Sequence, residues 1–197
     1  VTPVLRSGDF SGKKDEIVLA YIDSGAKAKR ILLVGLGEKK DVTLERCRRA
    51  AAVAAKRAHS LKAKTVTLIL PSLSLKPFDE VFAFAEGPFL SLYKFDKYLS
   101  KEKDENPKVE EIILASDNDK ISAASKAALK HCQVVCEATY LARDLCNAPG
   151  NEIYPETLAK AARDSAKRCG YKATVLDERQ IKDLGMGGVI GVCQGSA

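Results

Sequence analysis

Histidine and cysteine come closest together at His131, Cys132 and Cys136. Imidazole nitrogen and thiolate sulfur are the usual donors to zinc, and the two cysteines stand one helical turn apart. The remaining donors of a closed tetrahedral site have no C-x-x-C or paired histidine to come from. Cys47, Cys146, Cys169 and Cys193 are scattered along the chain. With no export signal to place them in an oxidising compartment, the six cysteines read as reduced, core-filling thiols of a cytosolic protein. The second histidine, His59, has no H-E-x-x-H context and no nucleophile beside it. Both histidines sit toward the far part of alanine-rich helical stretches, where a positive charge complements the helix's negative end.

A second candidate is the glycine turn in "VGLGEKK", residues 34–40. Backbone N–H groups at such a strand-to-helix turn can cradle phosphate. The third glycine of a dinucleotide fingerprint is missing, and no Walker sequence is present. Glycine also serves such turns for steric reasons alone, and that is the preferred reading. Carboxylates are frequent but lie in mixed-charge runs such as "DERQIKD" and "SKEKDENPKVEE", which suit solvated faces. Glu137 and Asp144 share one side of a helix, where an interface ion pair explains them better than acid–base chemistry. Arg46, Arg48, Arg49, Lys56 and Arg57 could touch nucleic acid, but no aromatic residues interleave with them for base stacking. A solvated helix face is the stronger explanation.

The elements that would position these groups follow from periodicity. "EIVLAYI" and "RILLVGLG" are short apolar runs expected as strands, joined by a turn at "DSGAKAK". From residue 41 the apolar spacing changes to three and four, through Leu44, Cys47, Ala51, Ala54, Ala58 and Leu61. This predicts an amphipathic helix capped by Asp41 or Thr43. "KTVTLILP" predicts a strand closed by Pro71. A helix is expected over 79–99, broken or kinked at Gly87-Pro88. "KYLSKEKDENPK" reads as an exposed loop and "VEEIILA" as a further strand. The longest helix is expected over 121–146, with Ala124, Ala128, Cys132, Val135, Thr139 and Ala142 on one side.

"NAPGN" then ends that helix, and Pro155 with Glu156 opens another that runs to Cys169, stopped by Gly170. "KATVLD" reads as a strand, "ERQIKDLG" as a short helix and "GGVIGVCQGS" as a glycine-rich apolar segment. Two short strands and two helices in under fifty residues bury too little apolar area to stand alone. Alternating strands and helices predict an α/β fold with a mostly parallel sheet covered by helices.

The 197 residues carry a net charge of +6, with 46% hydrophobic and 29% charged residues. This is the balance of a soluble globular protein, with room for one domain and part of another. Bases and acids are interspersed, so acidic partners are permitted but not demanded. No apolar run is long enough to cross a bilayer and no secretory signal opens the chain, so no membrane partner is expected.

Two ordered blocks carry a resemblance. "ARDLCNAPGNEIYPETLAKAA" and "VLDERQIKDLGMGGVIGVCQGSA" resemble the domain junction and the approach to the catalytic core of the leucyl aminopeptidases, the cytosolic M17 metallopeptidases. Upstream, "SGDFSGKKDEIVLAY", "RILLVGLGEKKDVTLERCRRAAAVAAKRA" and "FAEGPFLSLYKFDKYLSKEK" are similar to successive blocks of that family's N-terminal domain.

The resemblance implies a macro-like N-terminal domain with a mixed sheet at 1–117, expected without its first elements. It implies a connecting helix at 118–148 and a truncated start of the catalytic domain at 149–197. It implies that the intact protein is a cytoplasmic homo-hexamer that releases N-terminal amino acids from peptide substrates. Two divalent metals, zinc or manganese, would polarise the carbonyl and supply a hydroxide. The family's lysine-bearing block and its second carboxylate block follow the segment corresponding to the end of this chain. The resemblance therefore places no catalytic, cofactor-binding or metal residue between positions 1 and 197. The chain is expected to be a piece of the enzyme, cut at both ends, that serves assembly or substrate access. It would need the missing C-terminal catalytic region for activity and be inactive alone. A nucleotide or ADP-ribose module, or a DNA-binding module, is the alternative.

Overall fold

Five-residue apolar runs form the four strands of a computed structural model that describes residues 2–22, 27–73, 75–99, 109–116 and 122–194. A short helix, α1 (Thr2–Ser7), precedes them. β1 (Ile17–Tyr21) and β2 (Arg30–Val34) pair antiparallel, with Ile17 opposite Val34 and Tyr21 opposite Arg30. Residues 23–26, within the expected turn, lie outside the described residues. A 3₁₀ turn at Lys39–Asp41 leads into α2 (Leu44–Ser60), where the Thr43 hydroxyl accepts the Arg46 N–H at 3.2 Å. Thr43, of the two expected caps, fills that role.

β3 (Thr65–Ile69), α3 (Pro77–Leu92) and β4 (Glu111–Ala115) form a strand–helix–strand unit whose strands pair parallel, Thr65 opposite Glu111. The described residues thus hold one antiparallel and one parallel pair, each of two strands, rather than a mostly parallel sheet. The fold is α/β. Most of the expected exposed loop, residues 100–108, lies outside the described residues.

α3 runs unbroken through Gly87 and Pro88, against the expected kink. The reason is tertiary. Both residues are buried, and a Cβ on Gly87 would come 2.2 Å from the Arg48 carbonyl oxygen of α2. Glycine lets the two backbones approach, and the packing outweighs the hydrogen bond that Pro88 cannot donate. Cys47, Ala51, Ala54, Leu68, Ala83 and Phe84 make the main core, with Leu32, Val34, Val66, Ile112 and Leu114 around it. Both strand pairs therefore share the same apolar filling.

α4 (Ala123–Asn147) buries Ala128, Cys132 and Cys136, a row of successive fourth residues. Ala124 and Ala142, expected on that side, are exposed. The contact face is narrower than the 3–4 alternation implies, because α4 touches its neighbours through Phe82, Ala85, Leu90 and Leu114. The Tyr140 hydroxyl donates to the Phe89 carbonyl, and Tyr140 packs on Tyr93 with ring centroids 5.1 Å apart.

The chain divides into two compact units, Val1–Ala142 and Arg143–Ala197. In the second, Glu152 and Ile153 donate backbone N–H groups to the Pro149 carbonyl at 2.9 and 3.0 Å. That turn leads into α5 (Pro155–Cys169), which Gly170 ends in the left-handed conformation at φ 76°. α6 (Glu178–Asp183) opens on a reciprocal cap: Asp177 accepts the Gln180 N–H at 2.8 Å and Gln180 accepts the Asp177 N–H at 2.9 Å. α7 (Gly187–Cys193) follows. The expected strand at 172–177 has no regular secondary structure and no partner strand among the described residues, and 187–193 is helical. A strand needs a neighbour to satisfy its ladder, and the described part of this unit offers none. Ala166 is its one buried hydrophobic residue among those described.

Candidate functional site

The glycine turn lies in an open cleft of about 400 Å³ lined by Ser11, Gly12, Lys13, Lys14, Gly37, Glu38, Asp41 and Arg46. Its backbone donors are turned inward. Gly35 N–H bonds the Glu16 carbonyl at 2.8 Å, and Gly37 N–H bonds the Gly12 carbonyl at 2.9 Å. The Glu16 carboxylate accepts the Ser11 N–H at 3.0 Å, the Ser11 hydroxyl at 3.0 Å and the Lys13 N–H at 3.0 Å. These bonds, led by the Ser11 amide, hold the Glu16 carboxyl below its ordinary range. The loop already cradles an anion, and that anion is its own glutamate.

Glycine is needed here for space and dihedrals. A Cβ on Gly35 would fall 1.8 Å from the Lys13 carbonyl, and Gly37 holds φ 76°. Arg46 donates to the Leu36 carbonyl at 3.2 Å, tying α2 to the same turn. The geometry therefore favours the steric reading over a phosphate cradle. Sequence reasoning missed Glu16; an acid five residues after the serine of "SGDFSGKKDE" was the available signal.

The basic residues of α2 are largely spent on protein partners. Arg48 bridges Glu45 of its own helix and Glu86 of α3, whose side chain is 12% exposed. Arg49 pairs with Glu45 at 2.8 Å. Lys56 and Arg57 are exposed. The arrangement braces α2 against α3 more than it presents a cationic stripe.

Cys132 and Cys136 touch, with their sulfurs 3.8 Å apart and each 1% exposed. Burial, then the neighbouring thiol, pushes the Cys132 thiol up to about 12, so it rests protonated. His131 turns away from them onto the rings of Phe78 and Phe82, at centroid distances of 6.0 and 5.4 Å. His59 lies in the last turn of α2 beside Arg57. Among the described residues, no group of three or more His, Cys, Asp and Glu could hold a metal ion. Cys146, Cys169 and Cys193 are exposed, contrary to their expected core role, because each stands in the last two residues of its helix, past any residue that helix buries.

Sequence reasoning also missed Glu80. One of its carboxyl oxygens is buried without a hydrogen-bond partner, and burial raises its pKa. Cys47, raised by burial and then by Glu80, lies near it. Glu137 accepts from Gln133 at 2.9 Å, a local contact within α4. No described helix is long and apolar enough to cross a membrane.

Comparison with known proteins agrees with this architecture. Residues 1–102 match the family model for the N-terminal domain of the cytosol aminopeptidase family, and residues 140–197 match that family's catalytic domain. A probable cytosol aminopeptidase of Thermosynechococcus vestitus is 34% identical over 98% of this chain and 38% of its own length. One of Chlorobaculum tepidum is 36% identical over 96% of this chain and 40% of its own length.

Among solved structures, a tomato leucine aminopeptidase mutant superposes with TM-score 0.76 at 26% identity, covering 93% of this chain and 36% of that one. The bottromycin maturation enzyme BotP, in complex with Mn, superposes with TM-score 0.74 at 27% identity, covering 94% of this chain and 37% of that one. The chain spans about two fifths of the length of these curated relatives. By these matches the chain belongs to the cytosol aminopeptidase family, with the N-terminal domain matched at residues 1–102 and the catalytic domain matched from residue 140.

Proposed function

We propose that this chain is the N-terminal portion of a metal-dependent leucyl aminopeptidase, serving assembly and substrate access, with the metal site in a C-terminal catalytic region beyond it. The observation that carries the reading is the order of the two family matches, N-terminal domain and then catalytic domain, over a chain only 38% as long as a curated relative. The proposed organisation is a macro-like domain over 1–117, a connecting helix over 118–148 and the start of the catalytic domain over 149–197.

In the whole enzyme, two divalent ions, zinc or manganese, would activate water for attack on the first peptide bond. BotP's complex with manganese supports the choice of ion class. The whole enzyme is proposed as a cytoplasmic homo-hexamer acting on peptide substrates. The large exposed side chains of the second unit, among them Leu158, Tyr171, Leu184 and Val192, support a C-terminal region that covers them.

The test uses the 197-residue chain with a leucine anilide substrate and added manganese. No turnover above a metal-only blank is expected. Sustained turnover that chelation abolishes would refute the assignment of the metal site to the C-terminal region.

A further inference from the structure

We propose that the open cleft between the Ser11–Lys14 loop and the start of α2 binds a free α-amino acid, held by its two charged ends. At about 400 Å³ the cleft has room for a small ligand. Gly37 keeps the space between Lys14 and Arg46 clear. A Cβ on it would stand 3.1 Å from a guanidinium nitrogen of Arg46 and 3.6 Å from the Lys14 Cβ. Arg46 is half-buried, and its donation to the Leu36 carbonyl at 3.2 Å fixes the guanidinium while spending only one of five N–H groups. Lys13 lines the same cleft. The opposite sign comes from Asp41, which the 3₁₀ turn places there through its own N–H on the Glu38 carbonyl at 3.0 Å. The other two charges of the lining are engaged: Glu38 pairs with Lys40 at 2.8 Å, and Lys14 with Asp15 at 3.9 Å. Lys13, Arg46 and Asp41 form no ion pair among the described residues.

Charge selects the ligand. The Gly35 and Gly37 N–H groups are spent on backbone carbonyls, so side chains must do the holding. A multivalent anion such as phosphate would satisfy Lys13 and Arg46 but meet the carboxylates of Asp41 and Glu38 as like charges. An α-amino acid sets its carboxylate toward Arg46 and Lys13 and its ammonium toward Asp41, and brings no net charge. The lining is glycine, serine and charged side chains, so it recognises the zwitterionic backbone rather than a large apolar side chain. Reading the cleft as a sensor of product rests on the proposed aminopeptidase, which releases amino acids; the binding itself does not.

The probe is glycine, the zwitterion without a side chain, titrated into the ¹⁵N-labelled 197-residue chain and followed by amide shifts. Saturable shifts are expected at Ser11–Lys14 and Gly37–Asp41, with an affinity in the millimolar range that suits exposed charges. Acetate and methylammonium each carry one of the two ends and should bind more weakly than glycine. Asp41→Asn and Lys13→Gln should each weaken glycine about 2–5-fold, the worth of one exposed ion pair. Both positions are exposed, and the same spectra report whether each variant is folded. Arg46 is left in place because it ties α2 to the turn. No saturable shift with glycine, shifts confined to other residues, or affinity unchanged in both variants would overturn the proposal. Inorganic phosphate or acetate binding the cleft more tightly than glycine would overturn it too, in favour of a plain anion site. No turnover is measured, so a failed titration leaves the aminopeptidase reading standing, and a failed activity reading leaves the cleft standing.

Discussion

Replacing Gly87 by alanine tests whether backbone approach, rather than helix propensity, decides this position. In an open helix interior the change stabilises by about 1 kcal/mol, because glycine pays the larger entropy on folding. Here the new Cβ would stand 2.2 Å from the Arg48 carbonyl oxygen and 3.1 Å from the Ala52 nitrogen. Both are backbone atoms of α2 and cannot rotate away. Relief requires α2 and α3 to part by roughly 1 Å, which forfeits about a quarter to a half of each dispersion contact across the interface.

The buried residues at stake include Cys47, Ala51, Ala54, Ala83 and Phe84. Overpacking of this kind costs about 1–3 kcal/mol, and the magnitude belongs at the upper end because the clash is backbone to backbone. After the propensity gain, the net loss is about 2 kcal/mol, or roughly 4–8 °C in Tm for a chain of this size. Thermal unfolding followed by circular dichroism at 222 nm measures it. Gly191→Ala in α7, where nothing lies within 4 Å of the added Cβ, supplies the control and should not lower Tm. A Gly87→Ala variant melting at or above the parent temperature would refute the close-approach argument.

The two acids that sequence reasoning missed should pull the pH dependence in opposite directions. Glu16 has a folded pKa below its unfolded value, so its contribution is full above the ordinary value of 4.5 and is lost as pH falls through the lowered one. Glu80 has a folded pKa above 4.5, so folding favours its protonated form, and stability falls as pH rises from 4.5 through the raised value. Denaturant titrations between the acid range and neutrality should show Glu16→Gln flattening the acid-side loss and Glu80→Gln removing the decline above it; identical profiles for both variants would contradict the assignment. Native thiol titration with a chromogenic disulfide should count Cys146, Cys169 and Cys193 rapidly, and Cys47, Cys132 and Cys136 only on unfolding. Rapid reaction of all six would show that α4 does not seal its sulfurs.

Local chemistry made much of this fold readable. Thr43 ahead of Leu44, Pro155 at a first helical turn and Gly170 past Cys169 each mark a helix end through groups within a few residues. What escaped depends on neighbours distant in sequence. Pro88 reads as a breaker until α2 supplies the packing that holds α3 straight. The 172–177 run reads as a strand, but strand formation needs a partner ladder. The buried side of α4 narrows to Ala128, Cys132 and Cys136, with Phe82, Ala85, Leu90 and Leu114 packed around the two cysteines. At the glycine turn, the residue types suited a phosphate cradle; only the geometry reveals that the Gly35 and Gly37 N–H groups are spent on the Glu16 and Gly12 backbone carbonyls, and that the Glu16 carboxylate takes the facing donors of Ser11 and Lys13.

Residues 143–194 illustrate how far local rules reach without a core. Their helix ends are well made: the Asp177–Gln180 cap, the Gly170 stop, and the Thr157 hydroxyl, which accepts the Tyr154 N–H at 2.9 Å and donates to the Glu152 carbonyl at 2.7 Å. Such devices contribute about 1 kcal/mol each. Helices of six and seven residues, such as α6 and α7, are far too short to persist in water on those terms. Burial must supply the difference, and among the described residues only Ala166 is buried, while Leu184 is 63% and Val192 83% exposed. The capping fixes where each helix begins and ends; the apolar surface left open sets what the segment requires, a covering region rich in apolar side chains. In the proposed enzyme that cover is the C-terminal catalytic region, so this segment's order and the catalytic site would be completed by the same stretch of chain.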